Sequence, residues 1–243
     1  MSGNTARQRE TFNQLVDEGT YSVDFDHAPA AVAFVRACLD KALTGAAAAE
    51  RLAVLDCGCG TGAWLAHFHG WAQERDLGPV RLCGFDVADR MVDTTRAKLA
   101  GLATPGDICR GDLSDPASLA FDGLSDGFDV VLAYDVIQQL PPARQFDACR
   151  AIVDRLKPGG AAIIFDNDKD SPFGRRMGRR KFFTRYFGLP LVPRFYCNAK
   201  YPPLARFRDR LAADPTIDAD IIVRDDAVKR ALIIHRGLEP VHD

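Results

Sequence analysis

The sequence lacks any long hydrophobic run. No stretch of its 243 residues approaches the roughly 20 uninterrupted apolar residues that a membrane-spanning helix needs. Residues 1–10 are polar and contain no apolar segment of the kind found in secretory signals. We therefore expect a soluble protein without a transmembrane segment, for which peripheral contact with a membrane stays open.

The seven cysteines lack the pattern of a disulfide framework or a zinc site. Their number is odd, no C-x-x-C motif occurs, and several lie in apolar runs where cysteine acts as a small hydrophobe. The sequence therefore predicts reduced thiols and a cytoplasmic protein. The sequence also lacks a large excess of charge of one sign, since its formal net charge is -2. This excludes a polyanion binder that works by bulk charge.

What the sequence does contain is an alternation of short apolar runs with helical patterns. Apolar runs at 52–55, 80–85, 128–133 and 161–165, with a weaker one at 107–111, are separated by segments with helical spacing. Strands that are apolar throughout predict a parallel sheet covered on both faces, an α/β fold. The runs 220–224 and 229–235 flank a short polar turn and predict a hairpin whose last strand is antiparallel to the rest.

A glycine-rich loop follows the first predicted strand. Asp56-Cys57-Gly58-Cys59-Gly60-Thr61-Gly62 places three glycines at alternate positions. Glycine permits a tight turn and lets a ligand approach bare backbone, and ligands of open α/β sheets bind beyond the carboxyl ends of the strands. The loop is therefore the first candidate for a binding site.

Carboxylates follow three later strands. Asp86 closes the second strand and can accept hydrogen bonds from both hydroxyls of a ribose. Asp112 follows the third strand and can accept from an adenine amino group, with Leu113 against the ring. Asp135 ends the fourth strand at the same edge, where it can also cap the helix that follows.

These motifs, in this order and together with Leu156-Lys157-Pro158-Gly159-Gly160, resemble those of the class I S-adenosylmethionine-dependent methyltransferases. The resemblance runs from about Leu52 to Asp166. It implies a doubly wound, mostly parallel seven-stranded sheet with an antiparallel last strand, a Rossmann-like fold. It also implies a cofactor, S-adenosyl-L-methionine, with Gly58, Gly60 and Gly62 beside its methionine and ribose portions, Asp86 on the ribose and Asp112 near the adenine. The complete expected cofactor site comprises Tyr21, Asp56, Gly58, Cys59, Gly60, Gly62, Asp86, Val87, Met91, Asp112, Leu113, Tyr134 and Asp135.

Two alternative functions stay open. Gly58-x-Gly60-x-x-Ala63 also fits the dinucleotide fingerprint, so the protein could be an NAD-dependent oxidoreductase with Asp86 on the ribose. That interpretation leaves Asp112 without a role, and Asp56 and Gly62 suit the sulfonium cofactor better. A non-catalytic regulatory protein that binds the cofactor is the second alternative.

Candidates for catalysis are few, because methyl transfer depends mainly on positioning and on exclusion of water. His27 and Asp166 are possible bases and Gln138 can orient a polar acceptor. Asp135, Asp166 and Asn167 resemble the oxygen ligands that hold Mg²⁺ in catechol-type O-methyltransferases, but the spacing is off by about one residue, so no metal is expected. The loop after the fourth strand lacks the Asn/Asp-Pro-Pro-Tyr motif of DNA adenine methylation, and nucleic acid is not an expected substrate.

The chain between residues 169 and 210 is basic and aromatic. The segment contains twelve lysines and arginines but only two aspartates. It also contains Phe182, Phe183, Tyr186 and Phe187, which are paired at helical spacing. We expect a helical cap that selects a small acceptor that is anionic or lipid-like. Three other roles are contact with a membrane surface, attraction of RNA, and pairing with the acidic remainder of the protein, including across a dimer interface.

The expected organisation has four parts. Residues 1–45 form an N-terminal lid and helix, 46–168 the cofactor-binding core, 169–215 the basic aromatic cap, and 216–243 the hairpin that completes the sheet. The acceptor atom, nitrogen or oxygen, is left undecided, and so is the oligomeric state.

Overall fold

A computed structural model describes residues 3–19, 21, 28–44, 51–102, 105–115, 127–192 and 197–238. Its strands are β1 Leu52–Cys57, β2 Val80–Asp86, β3 Pro105–Arg110, β4 Phe128–Tyr134, β5 Leu156–Asp166, β6 Ile217–Val223 and β7 Arg230–Arg236. Its helices are α1 Gly3–Asp17, α2 Pro29–Ala42, α3 Ala63–Gln73, α4 Asp89–Leu99, α5 Pro142–Val153, α6 Pro172–Phe187 and α7 Leu204–Leu211. His27, a candidate base, lies outside the described residues.

The strands form one seven-stranded sheet in the order β3-β2-β1-β4-β5-β7-β6. All neighbours pair in parallel except β7, which is antiparallel to both β5 and β6. The predicted fold class and the reversed last strand are confirmed. The order reverses at β1, so that β1 and β4 leave a crevice between their carboxyl ends, where open α/β sheets bind ligands.

Helices cover both faces of the sheet. Apolar residues of α2, α3 and α4 pack on one face, including Phe34, Phe68 and Val92. Those of α5 and α7 pack on the other, including Ile152 and Phe207. The central strands are therefore buried on both sides, which explains their unbroken apolar sequences.

Two predicted boundaries are wrong. The sequence after Pro142 predicts a helix that reaches Leu156 and then a turn at 157–160. Instead, α5 ends at Val153 and Leu156 is the first residue of β5, buried opposite Phe128. The expected turn at 157–160 is instead an irregularity inside β5, where the register with β4 shifts. Pairing with β4 outweighs the local helical pattern.

The N-terminal helix α1 was not predicted as a helix. The helix packs on the edge of the fold rather than in the core, so it needs few apolar residues, and its sequence is polar on average. Arg9 forms an ion pair with Asp89 of α4, and the backbone amide of Arg90 donates to the side chain of Asn13 at 3.0 Å. These contacts hold α1 above the carboxyl ends of β2 and β3.

Candidate active site

The glycine loop turns sharply where β1 ends. The amides of Gly58 and Cys59 both donate to the carbonyl of Phe85, at 2.8 and 2.9 Å, and so bind the loop to β2. Gly58 has φ of +75°, and a Cβ there would lie 2.6 Å from a methyl carbon of Val136. Neither the backbone conformation nor the space accepts a side chain, so the loop must be glycine at this point.

Gly60 presents bare backbone to a cavity. Its φ is +53°, and an added Cβ would point towards the hydroxyl of Tyr21 at 3.6 Å. The carbonyl of Gly60 accepts from Thr95 at 2.7 Å, which fixes the loop from behind. Gly62 packs against the same threonine and does not line the cavity.

Asp86 at the end of β2 is held by backbone donors. One carboxylate oxygen accepts from the amide of Gly60 at 3.0 Å and the other from the amide of Ala88 at 2.9 Å. Burial raises the pKa of Asp86, and these backbone hydrogen bonds oppose that rise. Each oxygen keeps a lone pair for a further donor, which is what a ribose diol would supply.

Asp112 closes the same side of the cavity after β3. Its Oδ2 accepts from the hydroxyl of Thr5 in α1 at 2.7 Å, and its Oδ1 accepts from the amide and hydroxyl of Ser114 at 2.8 and 2.7 Å. Leu113 is buried beside it and lines the cavity. The Thr5 contact joins α1 directly to the predicted adenine end of the site.

Helix α1 forms the roof. Gln8 and Phe12 line the cavity, the side-chain amide of Gln8 donates to the carbonyl of Gln139, and Phe12 makes an edge contact with Tyr21, with ring centroids 6.3 Å apart. The apolar residues of α1 could have predicted from the sequence that this helix covers the site. They form only a short stripe, because the helix covers a cavity rather than the core.

Asp135 directly follows β4 and has φ of +58°, a left-handed conformation that is uncommon for a residue other than glycine. Its carboxylate pairs with the ammonium of Lys229, at 2.5 and 2.6 Å, and accepts from the side-chain amide of Gln138 at 2.6 Å. Lys229 precedes β7, is buried, and lies 4.9 Å from the ring centroid of Tyr134. Sequence reasoning missed Lys229, although a lysine beside a buried strand was a usable signal.

The three possible metal ligands differ in their surroundings. Asp135 is neutralised by Lys229, whose charge would repel a divalent cation. Asp166 is fully buried, accepts from the amides of Gln138 and Asn167 at 3.0 Å each, and does not line the cavity. Burial and the neighbouring Asp135 raise the pKa of Asp166 well above its usual value. Within the described part of the chain, no group of three or more His, Cys, Asp or Glu side chains could hold a metal.

The cavity has a volume of about 650 Å³ and continues from the glycine loop towards α6. Phe173, Met177 and Arg180 of α6 line this second half, together with Tyr201 and Arg224. Arg224 forms an ion pair with Asp226, whereas Arg180 forms none with any carboxylate that the structure describes. The volume lies within the range of small-molecule sites.

The structure brings most of the predicted site residues to this one cavity. Those that line it are Tyr21, Gly58, Gly60, Asp86, Val87, Met91, Asp112, Leu113, Tyr134, Asp135, Gln138 and Asn167. Asp56, Cys59 and Gly62 lie behind the glycine loop instead. Asp56 is buried, neither of its oxygens has a hydrogen-bond partner among the described residues, and burial together with Asp86 raises its pKa to about 7.

Comparison with known proteins agrees with this geometry. Residues 54–160 match the family model of a methyltransferase domain. No curated protein matches the sequence. The matched residues run from β1 to the start of β5 and include the glycine loop, Asp86, Asp112 and Asp135.

Solved structures share the fold at low sequence identity. Magnesium protoporphyrin IX methyltransferase (ChlM) from Synechocystis PCC 6803, with bound SAH, is 17% identical over 96% of this chain and 99% of that chain, with a TM-score of 0.67. The DhpI–SAH complex is 18% identical over 98% and 99%, with a TM-score of 0.62. The N-methyltransferase NodS from Bradyrhizobium japonicum WM9, in complex with SAH, is 15% identical over 96% and 98%, also at 0.62.

Residues 54–160 thus match a methyltransferase domain, and the whole chain shares the fold of solved methyltransferases. No helix in the described ranges is both long and apolar enough to cross a membrane.

Proposed function

We propose that this protein binds S-adenosylmethionine in the α1-roofed half of the cavity and transfers its methyl group to a small, anionic acceptor bound against α6. The observation that carries this proposal is one continuous cavity with two chemically different halves. The glycine loop, Asp86 and Asp112 line the first half, and Phe173, Met177 and Arg180 line the second.

The first half fits an adenosyl group. Asp86 would accept from the two ribose hydroxyls, because its backbone donors leave a lone pair on each oxygen. Asp112 and Leu113 would hold the adenine, and Gly60 gives the methionine portion close access to the backbone. When bound, S-adenosylmethionine supplies a methyl group that its sulfonium makes electrophilic.

The second half would hold the acceptor. Arg180 can pair with an anionic group, and Phe173, Met177 and Tyr201 provide apolar surface. The side-chain oxygens of Gln138 and Asn167 are buried and have no hydrogen-bond partner among the described residues. An acceptor carrying an N–H or O–H group would satisfy them, because a buried acceptor atom without a donor costs about 1–3 kcal/mol.

The side chains give little support for strong base catalysis. Gln138 has no titratable group, and Asp166 is buried outside the cavity. The chain therefore promotes transfer by binding both molecules in one cavity, by orienting the acceptor through Gln138, and by excluding water beneath α1. Whether the methylated atom is nitrogen or oxygen follows from the acceptor itself.

Calorimetry tests the donor site. We expect S-adenosylmethionine and S-adenosylhomocysteine to bind and NAD not to bind. Asp86→Ala should weaken both by at least about 100-fold, since it removes two hydrogen bonds to a charged group. The matched control is Asp93→Ala, which removes an exposed carboxylate from α4. Binding of NAD alone, or an unchanged affinity in a folded Asp86→Ala protein, would defeat the proposal.

Transfer of labelled methyl groups to small molecules of a cell extract tests the reaction. A labelled product that is retained on an anion-exchange resin is the expected result. Binding of the donor without any labelled product would make the protein a binder and would contradict the proposed transfer.

A further inference from the structure

Helix α6 carries an unusual concentration of positive charge. Its sixteen residues include six cations and no carboxylate. The six are Arg175, Arg176, Arg179, Arg180, Lys181 and Arg185. The helix is well defined at both ends, because Ser171 accepts from the amide of Gly174 at 2.9 Å and Gly188 ends it with φ of +68°.

The rest of the described chain does not neutralise this charge. None of the six cations forms an ion pair with a carboxylate that the structure describes. Lys181 and Arg185 donate instead to the backbone carbonyls of Ala199 and Cys197, at 3.0 and 3.3 Å. Within the described ranges, the arginines of α6 are therefore not held by pairing with the acidic remainder of the chain, one of the roles expected from the sequence.

The second half of α6 is aromatic and exposed. Phe182, Phe183, Tyr186 and Phe187 are 43–67% exposed and contact one another, and Leu189 beyond the helix is 45% exposed. A contiguous cluster of large apolar side chains in water marks an interaction surface. We refer to Phe182, Phe183, Tyr186 and Phe187 as the aromatic end of α6.

Four of the six cations precede the aromatic end along the helix axis, whereas Lys181 and Arg185 lie beside it and donate to backbone carbonyls. The basic turns at 175–180 lie about 10 Å from the aromatic end at a rise of 1.5 Å per residue. That distance is comparable to the depth of a lipid headgroup layer. A tilted α6 would place its arginines among anionic headgroups while its aromatic rings enter the acyl boundary, where aromatic residues are favoured.

We propose that α6 docks this protein on the surface of an anionic lipid membrane. Complementary charge attracts the basic turns, and burial of the aromatic end holds the protein there. Phe173, Met177 and Arg180 of the same helix line the cavity. Docking therefore brings the acceptor half of the cavity to the lipid surface. The docking itself does not rest on the proposed methyl transfer, whereas delivery of an amphipathic acceptor from the membrane does.

Vesicle sedimentation with the full chain tests the docking. We expect binding to vesicles made of equal parts phosphatidylglycerol and phosphatidylcholine, no binding to phosphatidylcholine alone, and weaker binding as salt rises. Absence of binding to anionic vesicles at low salt would overturn the proposal.

Two variants separate charge from apolar insertion. Replacing Arg175, Arg176 and Arg179 by glutamine should weaken vesicle binding about 100-fold. The matched control replaces the exposed cations Arg51, Lys98 and Arg144 by glutamine, with the same change in net charge and little loss of binding. Equal losses in both would show bulk attraction only and would contradict a site on α6.

The second variant replaces the four residues of the aromatic end by alanine, with Leu238→Ala as an exposed apolar control outside α6. It should lose most vesicle binding even at low salt while its circular dichroism and its affinity for S-adenosylmethionine stay unchanged. Three results would overturn the proposal: retained vesicle binding, binding of an RNA oligomer in preference to vesicles, or a dimer in sedimentation analysis that this variant dissociates. Failure of donor binding in the unmodified chain would instead defeat the proposed function alone.

Discussion

The two halves of the cavity are built in different ways. The donor half is formed by strand ends, a glycine loop and backbone donors, and its carboxylates Asp86 and Asp112 already hold hydrogen bonds from the protein. The acceptor half is formed mainly by side chains of α6 and of the segments after it. Among the described residues, Arg180 has no carboxylate partner there, and the side-chain oxygens of Gln138 and Asn167 have no hydrogen-bond donor. The first half is thus prepared for one ligand. The second can change by substitution of exposed side chains without disturbing the sheet.

The largest expected effect breaks the donor half. Gly60→Val should abolish measurable binding of S-adenosylmethionine, because a branched side chain at φ of +53° would strain the loop and point into the cavity. Calorimetry gives the affinity. Gly101→Val, in a turn with open space around it, is the matched control and should bind normally. Normal binding by Gly60→Val would mean that the loop does not contact the donor.

A second prediction concerns Asp56, the buried carboxyl beneath the glycine loop, and its effect on how the stability of the protein depends on pH. Burial and Asp86 raise the pKa of Asp56 from its usual 3.8 to about 7, so the folded chain holds a proton that the unfolded chain releases between these values. The stability due to this proton is fully present below pH 3.8 and is lost as pH rises through about 7. In urea unfolding of the ligand-free protein, Asp56→Asn should therefore remove a decline of roughly 1 kcal/mol per pH unit between about pH 5 and 7.

Asp147→Asn is the control for that measurement, because it neutralises an exposed aspartate of α5 instead. The control should keep the pH dependence of the unmodified chain. If Asp56→Asn keeps it as well, the buried carboxyl is not the group that titrates.

The smallest expected effect concerns the acceptor half. Once the labelled product has identified the acceptor, Arg180→Gln should raise its KM about tenfold, the loss expected for one partly exposed charge-assisted hydrogen bond. The affinity for S-adenosylmethionine should change less than twofold. Arg144→Gln provides the control, as an exposed arginine of α5 away from the cavity. An unchanged KM, or a change in donor affinity instead, would remove the distinction between the two halves.

The difference between the two halves of the cavity also explains which parts of the fold and of the site could be predicted from the sequence. The glycine loop, Asp86 and the positions of the central strands along the chain follow from local patterns, since each apolar run is buried on both faces and each acid lies at a strand end. The positions of Lys229 and Arg224 depend on β7 inserting between β5 and β6, which no local pattern specifies. Helix α1 was not predicted because few of its side chains are buried. Leu156 was predicted to be helical because its pairing with Phe128 in the sheet is a tertiary contact that the local sequence does not show.

The ion pair between Asp135 and Lys229 joins residues 94 positions apart in the chain. Its partners meet only when the reversed strand lies in the sheet next to β5. Until then Asp135 has no counter-ion and the cavity lacks one wall. The wall of the cavity that Asp135 and Lys229 form therefore depends on the placement of the last strand.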